Sequence, residues 1–172
     1  MRPETFETTT TRLVLRRPTE ADRVFHDVVH SDARLYTHAP HVVGTPASNA
    51  TAFEAILRHW AEHGFGYWVA QDKQSGMPVG WVGVRRADGF LNLYYRFVVA
   101  AQGRGLATEA ARAAVAMARE RVPGLPVRAL VKEHNTASVR TAWAAGLVPT
   151  GETVVLDDDV PDEPASLVFE VR

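Results

Sequence analysis

At 172 residues the chain is long enough for one domain with a proper core and short for two, so a single domain over residues 1–172 is expected. Hydrophobic residues make up 46% and charged residues 23%, ordinary for a globular protein, and a formal net charge of −1 gives no electrostatic footprint for nucleic acid or an anionic membrane. There is no cysteine, which excludes disulfides, thiolate nucleophiles and cysteine metal ligands, and no apolar run approaches the roughly 20 residues that cross a bilayer.

The stretch Met1 to Thr11 is polar and threonine-rich and does not read as a secretory signal, so a cytoplasmic setting is expected. Leu13 to Leu15 read as a first strand, stopped by Pro18-Thr19. Thr19 with Asp22 makes a capping-box-like start, and Ala21, Val24, Phe25, Val28 and Val29 recur at helical spacing, predicting a helix from Glu20 to His30. Tyr36 to Pro46 is irregular. Ser48 or Asn49 then caps a second helix with an apolar stripe of Phe53, Ile56, Leu57 and Trp60, ended by Gly64 and Gly66.

From there the pattern turns to β. Tyr67 to Gln71, Val79 to Val84 and Leu91 to Val99 read as consecutive strands separated by turn-rich segments. A helix is expected from Thr108 to Arg121 and a strand from Val127 to Val131. Asn135 or Thr136 caps a helix ending near Ala145-Gly146, and Val148 to Leu156 with Leu167 to Val171 form a closing hairpin across the acidic loop Asp157 to Pro164. Consecutive strands, then helix, strand, helix and hairpin, make a mixed α/β sheet rather than the strict alternation of a doubly wound dinucleotide fold.

The most informative stretch is Gln102-Gly103-Arg104-Gly105-Leu106-Ala107-Thr108, between the longest strand and an alanine-rich helix. Two glycines let the backbone come close to a ligand, and the first N–H groups of a helix lack internal partners, so such a turn suits an anion. The nucleotide-binding string G-x-x-x-x-G-K-[ST] is absent. A dinucleotide fingerprint fails because Thr108 stands where its third glycine belongs. On the turn alone, a plain strand-to-helix junction with no ligand stays equally open.

A second segment changes the balance. Gln102, Gly105 and Ala107, followed by Asn135, Ser138, Gly146 and Leu147, give a Gln-x-x-Gly-x-Ala and Asn-x-x-Ser…Gly-Leu pair. With the opening Thr11-Arg12-Leu13-Val14-Leu15-Arg16 and the stretch Trp60 to Gly66, the chain resembles the GNAT superfamily of N-acetyltransferases from about Thr10 to Val171. More narrowly, it resembles the branch that includes the ribosomal-protein alanine N-acetyltransferases.

The resemblance implies the GNAT fold, a central mixed and mostly antiparallel sheet flanked by helices, and acetyl-CoA as cosubstrate with no metal. The backbone N–H groups of Gly103, Arg104, Gly105, Leu106, Ala107 and Thr108, with Gln102 beside them, would hold the pyrophosphate. The strand from Tyr95 to Val99 would pair with the pantetheine arm. An N–H near Phe97 or Val98 would polarise the thioester carbonyl. Asn135 would bond the cofactor arm, and Ser138 would serve the departing thiolate as the catalytic side chain. The acceptor would be a primary amine, either a small molecule or a protein N-terminus, and the assembly a monomer or homodimer. A rival reading is an acyl-CoA-binding sensor or scaffold with weak or lost catalysis.

The chain departs from that family at two positions. Where relatives carry a glutamate early in the strand before the glycine turn, this chain has Asn92, and where others carry a tyrosine in the last helix it has Ala142. Ser138 can still act as acid; the base is then a water chain or a side chain such as Glu62, His41 or His38. His26 with His30 and His59 with His63 sit at i,i+4, a metal-capable spacing, but without the glutamate of H-E-x-x-H. Trp60, Trp68, Trp81 and Trp143 read as core or pocket wall, since no basic stripe accompanies them. The acidic loop reads as a solvated hairpin tip, with a lure for a cationic amine as its functional reading.

Overall fold

A computed structural model describes residues 6–171, so the first five residues of the polar N-terminal stretch lie outside the described residues. The strands are β1 Thr8–Thr9, β2 Leu13–Arg16, β3 Tyr67–Asp72, β4 Pro78–Arg86, β5 Leu91–Phe97, β6 Val127–Val131, β7 Leu147–Val154 and β8 Ser166–Val171. The helices are α1 Arg23–Ser31, α2 Pro46–His63, α3 Leu106–Arg121 and α4 Thr136–Ala144. Among the described residues the strands form one sheet in the order β1-β2-β3-β4-β5-β6-β8-β7, antiparallel at every step except β5–β6. This is the expected mixed, mostly antiparallel α/β architecture.

Alternation along β5 assigns the two faces of the sheet. Tyr94 reaches His30 of α1, whereas Tyr95 reaches Ser138 of α4 on the opposite face. On the α1/α2 face Trp81 packs edge-on to Phe53, with ring centroids 6.2 Å apart. On the other face α3 buries Ala110, Ala111, Ala114 and Ala118, whose lack of bulk lets the helix lie close to β4 and β5. Trp60, Trp68 and Trp81 are core as expected, but Trp143 is 49% exposed and touches Phe169 only edge-on.

Local sequence explains the remaining boundaries. Thr45, not Ser48 or Asn49, caps α2: its hydroxyl accepts from Ser48 N at 3.2 Å, and Pro46 occupies the first helical position, where no N–H is needed. Asn49 instead turns inward, and its Nδ2 donates to Asp27 at 2.6 Å and to Ser31 at 2.9 Å. Gly64 closes the helix at φ 73°, a left-handed conformation that favours glycine. The first helix starts as a 3-10 turn, Glu20–Asp22, before α1. Its periodic valines do not all face the core, because Val24 and Val28 are 74% and 58% exposed.

Asp22 ties that turn to the sheet through two bonds with the Arg16 guanidinium, at 2.7 and 2.9 Å. Burial alone would raise its carboxyl pKa, but the Arg16 bonds and the Thr19 N–H outweigh burial and hold it below 3.8. A depressed folded pKa contributes stability that is present above the unfolded value and is lost as pH falls through the folded one. Asp22→Asn is therefore expected to lower unfolding free energy by about 2 kcal/mol at neutral pH. Denaturant titrations should show that gap closing as pH drops below about 4.

The feature that creates the site is a divergence in the sheet. β5 and β6 register only at Leu91↔Val127 and Asn92↔Arg128, after which β5 runs on to Phe97 and β6 pairs with β8 alone. The expected strand to Val99 stops at Phe97 because a 3-10 turn over Val99–Ala101, with Ala101 N bonded to Val98 O at 2.9 Å, redirects the chain. The remainder of β5 is left with an open edge facing the gap.

Candidate active site

Two clefts open on the divergence. One, of about 470 Å³, runs from the Gln102–Thr108 turn to α4; the other, of about 370 Å³, lies between β5, β6, the Leu35–Val42 segment and the β7–β8 loop. They share six lining residues: Leu35, His38, Tyr95, Arg96, Asn135 and Ser138. A ligand in each cleft would meet the other there.

The glycine turn is built as the sequence suggests. Gly103 and Gly105 have φ 72° and 75°, and Gly105 is the residue preceding α3, which begins at Leu106 rather than Thr108. Glu109 N bonds Gly105 O at 3.1 Å, so the N–H groups of Leu106, Ala107 and Thr108 occupy the orphan first turn of the helix. The positive end of the α3 dipole adds to them. Arg12 fixes the turn from outside: its Nη1 donates to Arg104 O at 2.7 Å and its Nε to Glu109 at 2.7 Å. Arg104, by contrast, turns its guanidinium to Asp72 at 3.3 Å and lines neither cleft. Gln102 is held to β5 by its Nε2, which donates to Phe97 O at 3.2 Å.

The open edge of β5 narrows the choice of backbone donor. Val98 N is already bonded to Val79 O at 3.0 Å within the sheet. Alternation then points the N–H of Phe97 toward the gap. Phe97 lines the larger cleft, whereas Val98 and Val99 do not.

On α4, Asn135 is the cap: its Oδ1 accepts from Ser138 N at 3.1 Å, and the residue lines both clefts. Ser138 Oγ donates to the Tyr95 hydroxyl at 3.2 Å, and that hydroxyl donates to Ser138 O at 2.7 Å. Burial pushes the Tyr95 hydroxyl up to about 12, so it stays protonated. Tyr95 is a side chain that sequence reasoning missed, having considered only its backbone. The signal was present in the alternation that sends Tyr94 and Tyr95 to opposite faces.

The base candidates separate clearly. Glu62 is exposed on α2, near Arg58 and His63, and lines neither cleft. His41 Nε2 lies 3.3 Å from Glu163 and 3.1 Å from Asp158 O, so it is engaged by the β7–β8 loop. His38 lines both clefts, and burial followed by the nearby His134 lowers its pKa below 6.5, keeping the imidazole neutral near pH 7. Asn92 spends its Nδ2 on the Tyr67 hydroxyl at 3.3 Å and offers no proton-accepting charge.

The histidine pairs are structural. His30 Nδ1 bonds His26 O at 2.8 Å and its Nε2 meets the Tyr94 hydroxyl at 2.9 Å. His59 bonds Phe65 O at 2.8 Å and accepts from Arg86 N at 3.0 Å. Both rings therefore use both nitrogens on protein partners. Burial lowers His30 and His59 to about 4, so both are neutral. The acidic loop is the expected solvated tip only in part, with Asp157 and Asp162 exposed. Asp159 and Glu163 fold back on Lys132 at 2.6 and 3.5 Å, while Asp158 stays exposed on the rim.

Residues 12–148 match the acetyltransferase (GNAT) domain, so the chain belongs to the GNAT family and is an acetyl-transferring enzyme. Its structure is similar to a GNAT-family acetyltransferase from Bordetella pertussis, with a TM-score of 0.78, 26% identity, and coverage of 96% of this chain and 99% of that one. The fold also matches a ribosomal L7/L12 alpha-N-protein acetyltransferase in complex with coenzyme A, at TM-score 0.73 and 13% identity over 96% of each chain. A spermidine N-acetyltransferase from Vibrio cholerae, in complex with CoA and spermine, gives 0.72 and 16% over 93% of this chain and 94% of that one.

Proposed function

We propose that the protein transfers the acetyl group of acetyl-CoA to a primary amine by direct attack in a ternary complex. The observation that carries this reading is the meeting of two clefts at Tyr95, Ser138 and His38, with an anion-suited helix N-terminus at the far end of one of them. The larger cleft would hold the cofactor, its pyrophosphate on the N–H groups from Gly103 to Thr108. The pantetheine arm would follow the open edge of β5. Structural neighbours that hold CoA, and act on spermidine or a ribosomal protein by name, support the donor and the amine class.

The chemistry then needs few side chains. The acceptor ammonium loses a proton to the neutral His38 imidazole, and the free amine attacks the thioester carbonyl carbon. Charge collects on the carbonyl oxygen, where the Phe97 N–H donates. The C–S bond breaks as Ser138 Oγ turns its hydrogen from the Tyr95 oxygen to the departing thiolate. The second proton, shed by the acylated nitrogen, returns to Ser138 Oγ where the serine has given up its own and passes to solvent where it has only hydrogen-bonded. Positioning and oxyanion stabilisation supply most of the acceleration, because the thioester is already activated.

A base with a lowered pKa makes a specific pH profile. In the ternary complex kcat should rise through an acid limb below 6.5, the ordinary histidine value, and then level off. His38→Gln should lower kcat about 100-fold near pH 7 and replace the plateau with a steady rise toward alkaline pH. An acid limb that survives unchanged in His38→Gln assigns the base elsewhere.

The neutral Asn92 at the family's carboxylate position favours a second reading, an acyl-CoA-binding sensor with weak turnover. Calorimetric titration with acetyl-CoA tests what the two readings share. No heat of binding would remove both.

A further inference from the structure

Several arginines have an acidic partner: Arg12 has Glu109, Arg16 has Asp22, Arg34 has Asp32 and Arg128 has Glu170. Arg96 is different. It is half-buried on β5, lines both clefts, and pairs with no carboxylate among the described residues. Its guanidinium carbon lies 3.7 Å from the Tyr36 ring centroid and 5.7 Å from that of Tyr94, and Nη1 donates to Leu35 O at 3.3 Å. The stack fixes the plane of the group while occupying its face rather than its edge. Arg96 also lies within hydrogen-bonding reach of the Tyr36 and Tyr94 hydroxyls, so its partners beside Leu35 O are neutral oxygens, none of which supplies the counter-charge of a carboxylate.

The other cation of the acceptor cleft is already committed. Lys132 Nζ is 2.6 Å from Asp159, 3.5 Å from Glu163 and 2.8 Å from Pro164 O. A partly desolvated guanidinium without a counter-charge is unfavourable, and two aromatic faces compensate it incompletely. A planar oxyanion would complete it, in the fork geometry that distinguishes arginine from lysine.

We propose that the acceptor cleft takes an amine that also carries a carboxylate, an amino acid in its free form, with the Arg96 guanidinium gripping the carboxylate while the amine faces Ser138 and His38. The proposal rests on the acetyl-transfer reading above and names its substrate class. Position argues for a short spacing between amine and carboxylate. Arg96 immediately precedes Phe97, the proposed donor to the thioester oxygen, and successive strand residues are only about 3.3 Å apart along the strand. A polyamine would instead set a second cation against an uncompensated one.

The test compares a panel of free L-amino acids with their carboxamides, alongside spermidine and a tripeptide with an uncharged side chain at its N-terminus. Thiol release from acetyl-CoA and calorimetric binding to the CoA-loaded protein are both read. The expected result is that at least one free amino acid exceeds its carboxamide in kcat/KM and in affinity by about 10- to 100-fold. Arg96→Gln should erase that preference by weakening the free acid about 10- to 100-fold more than the carboxamide, so that the ratio of their kcat/KM values falls to about one. Arg96→Lys should restore part of it.

Three outcomes overturn the proposal. Carboxamides, the tripeptide or spermidine reacting as well as free acids would leave acetyl transfer standing and remove the carboxylate site. An equal loss for all amines in Arg96→Gln, or weaker acetyl-CoA binding, would assign Arg96 to the donor. Neither turnover nor binding with any free acid would reject it outright. Free acids that bind the CoA-loaded protein through Arg96 without thiol release would uphold the site and reject the transfer reading.

Discussion

Gly105→Asp should lower acetyl-CoA affinity by at least about 100-fold, equivalent to about 2.7 kcal/mol, while leaving the protein folded. Space is not the reason. A Cβ at Gly105 would lie 3.6 Å from Arg12 Nη2, an ordinary contact, and φ 75° strains an aspartate less than a bulkier residue. The effect is electrostatic: a carboxylate would sit at the N-terminus of α3, where the pyrophosphate is proposed to lie, and occupy the same N–H groups. Gly105→Ala separates the causes, because it brings the backbone strain without the charge and should lose far less. Calorimetry with acetyl-CoA, with thermal unfolding as the control for folding, reads both variants. Wild-type affinity in Gly105→Asp would remove the turn from the cofactor site.

Ser138→Ala should lower kcat by about 10- to 100-fold with acetyl-CoA affinity nearly unchanged, since the hydroxyl is proposed to act on charge that develops only as the C–S bond breaks. Its neighbour makes the prediction sharper. Tyr95 holds Ser138 through Oγ and through the backbone oxygen, so Tyr95→Phe should also lower kcat, and the double variant should lose less than the sum of the two effects. Steady-state kinetics on the four proteins gives the coupling. Full additivity would mean that the two hydroxyls act independently, and equal rates in wild type and Ser138→Ala would take Ser138 out of the reaction.

What the sequence revealed was local chemistry. The bounds of β6 at Val127–Val131, the cap at Asn135 and the glycine turn each follow from a few adjacent residues with strong conformational preferences. The motifs at Gln102–Ala107 and Asn135–Ser138 pointed to one family, and residues 12–148 bear that family out. What escaped depends on partners distant in the chain. Nothing in Leu91–Phe97 by itself says that the strand parts from β6 after Asn92, because the separation is decided by how β6 pairs with β8. The Tyr95–Ser138 contact bridges 43 positions, and the Lys132–Asp159 clasp that draws in the acidic loop bridges 27. Helical periodicity also overstated the inward face of α1, where Val24 and Val28 face outward although they fall in the same apolar pattern as Val29.

The central claim is that the two clefts meet in order to carry an acetyl group from a thioester to an amine. Its most direct measurement is the appearance of free CoA thiol over an amine panel, with the acetylated amine identified in the same reaction by mass spectrometry. The account predicts thiol release that depends on the amine, matched one for one by acetylated product and suppressed in Ser138→Ala. Tight acetyl-CoA binding with no amine-dependent thiol release would contradict it and leave a binding module in place of an enzyme.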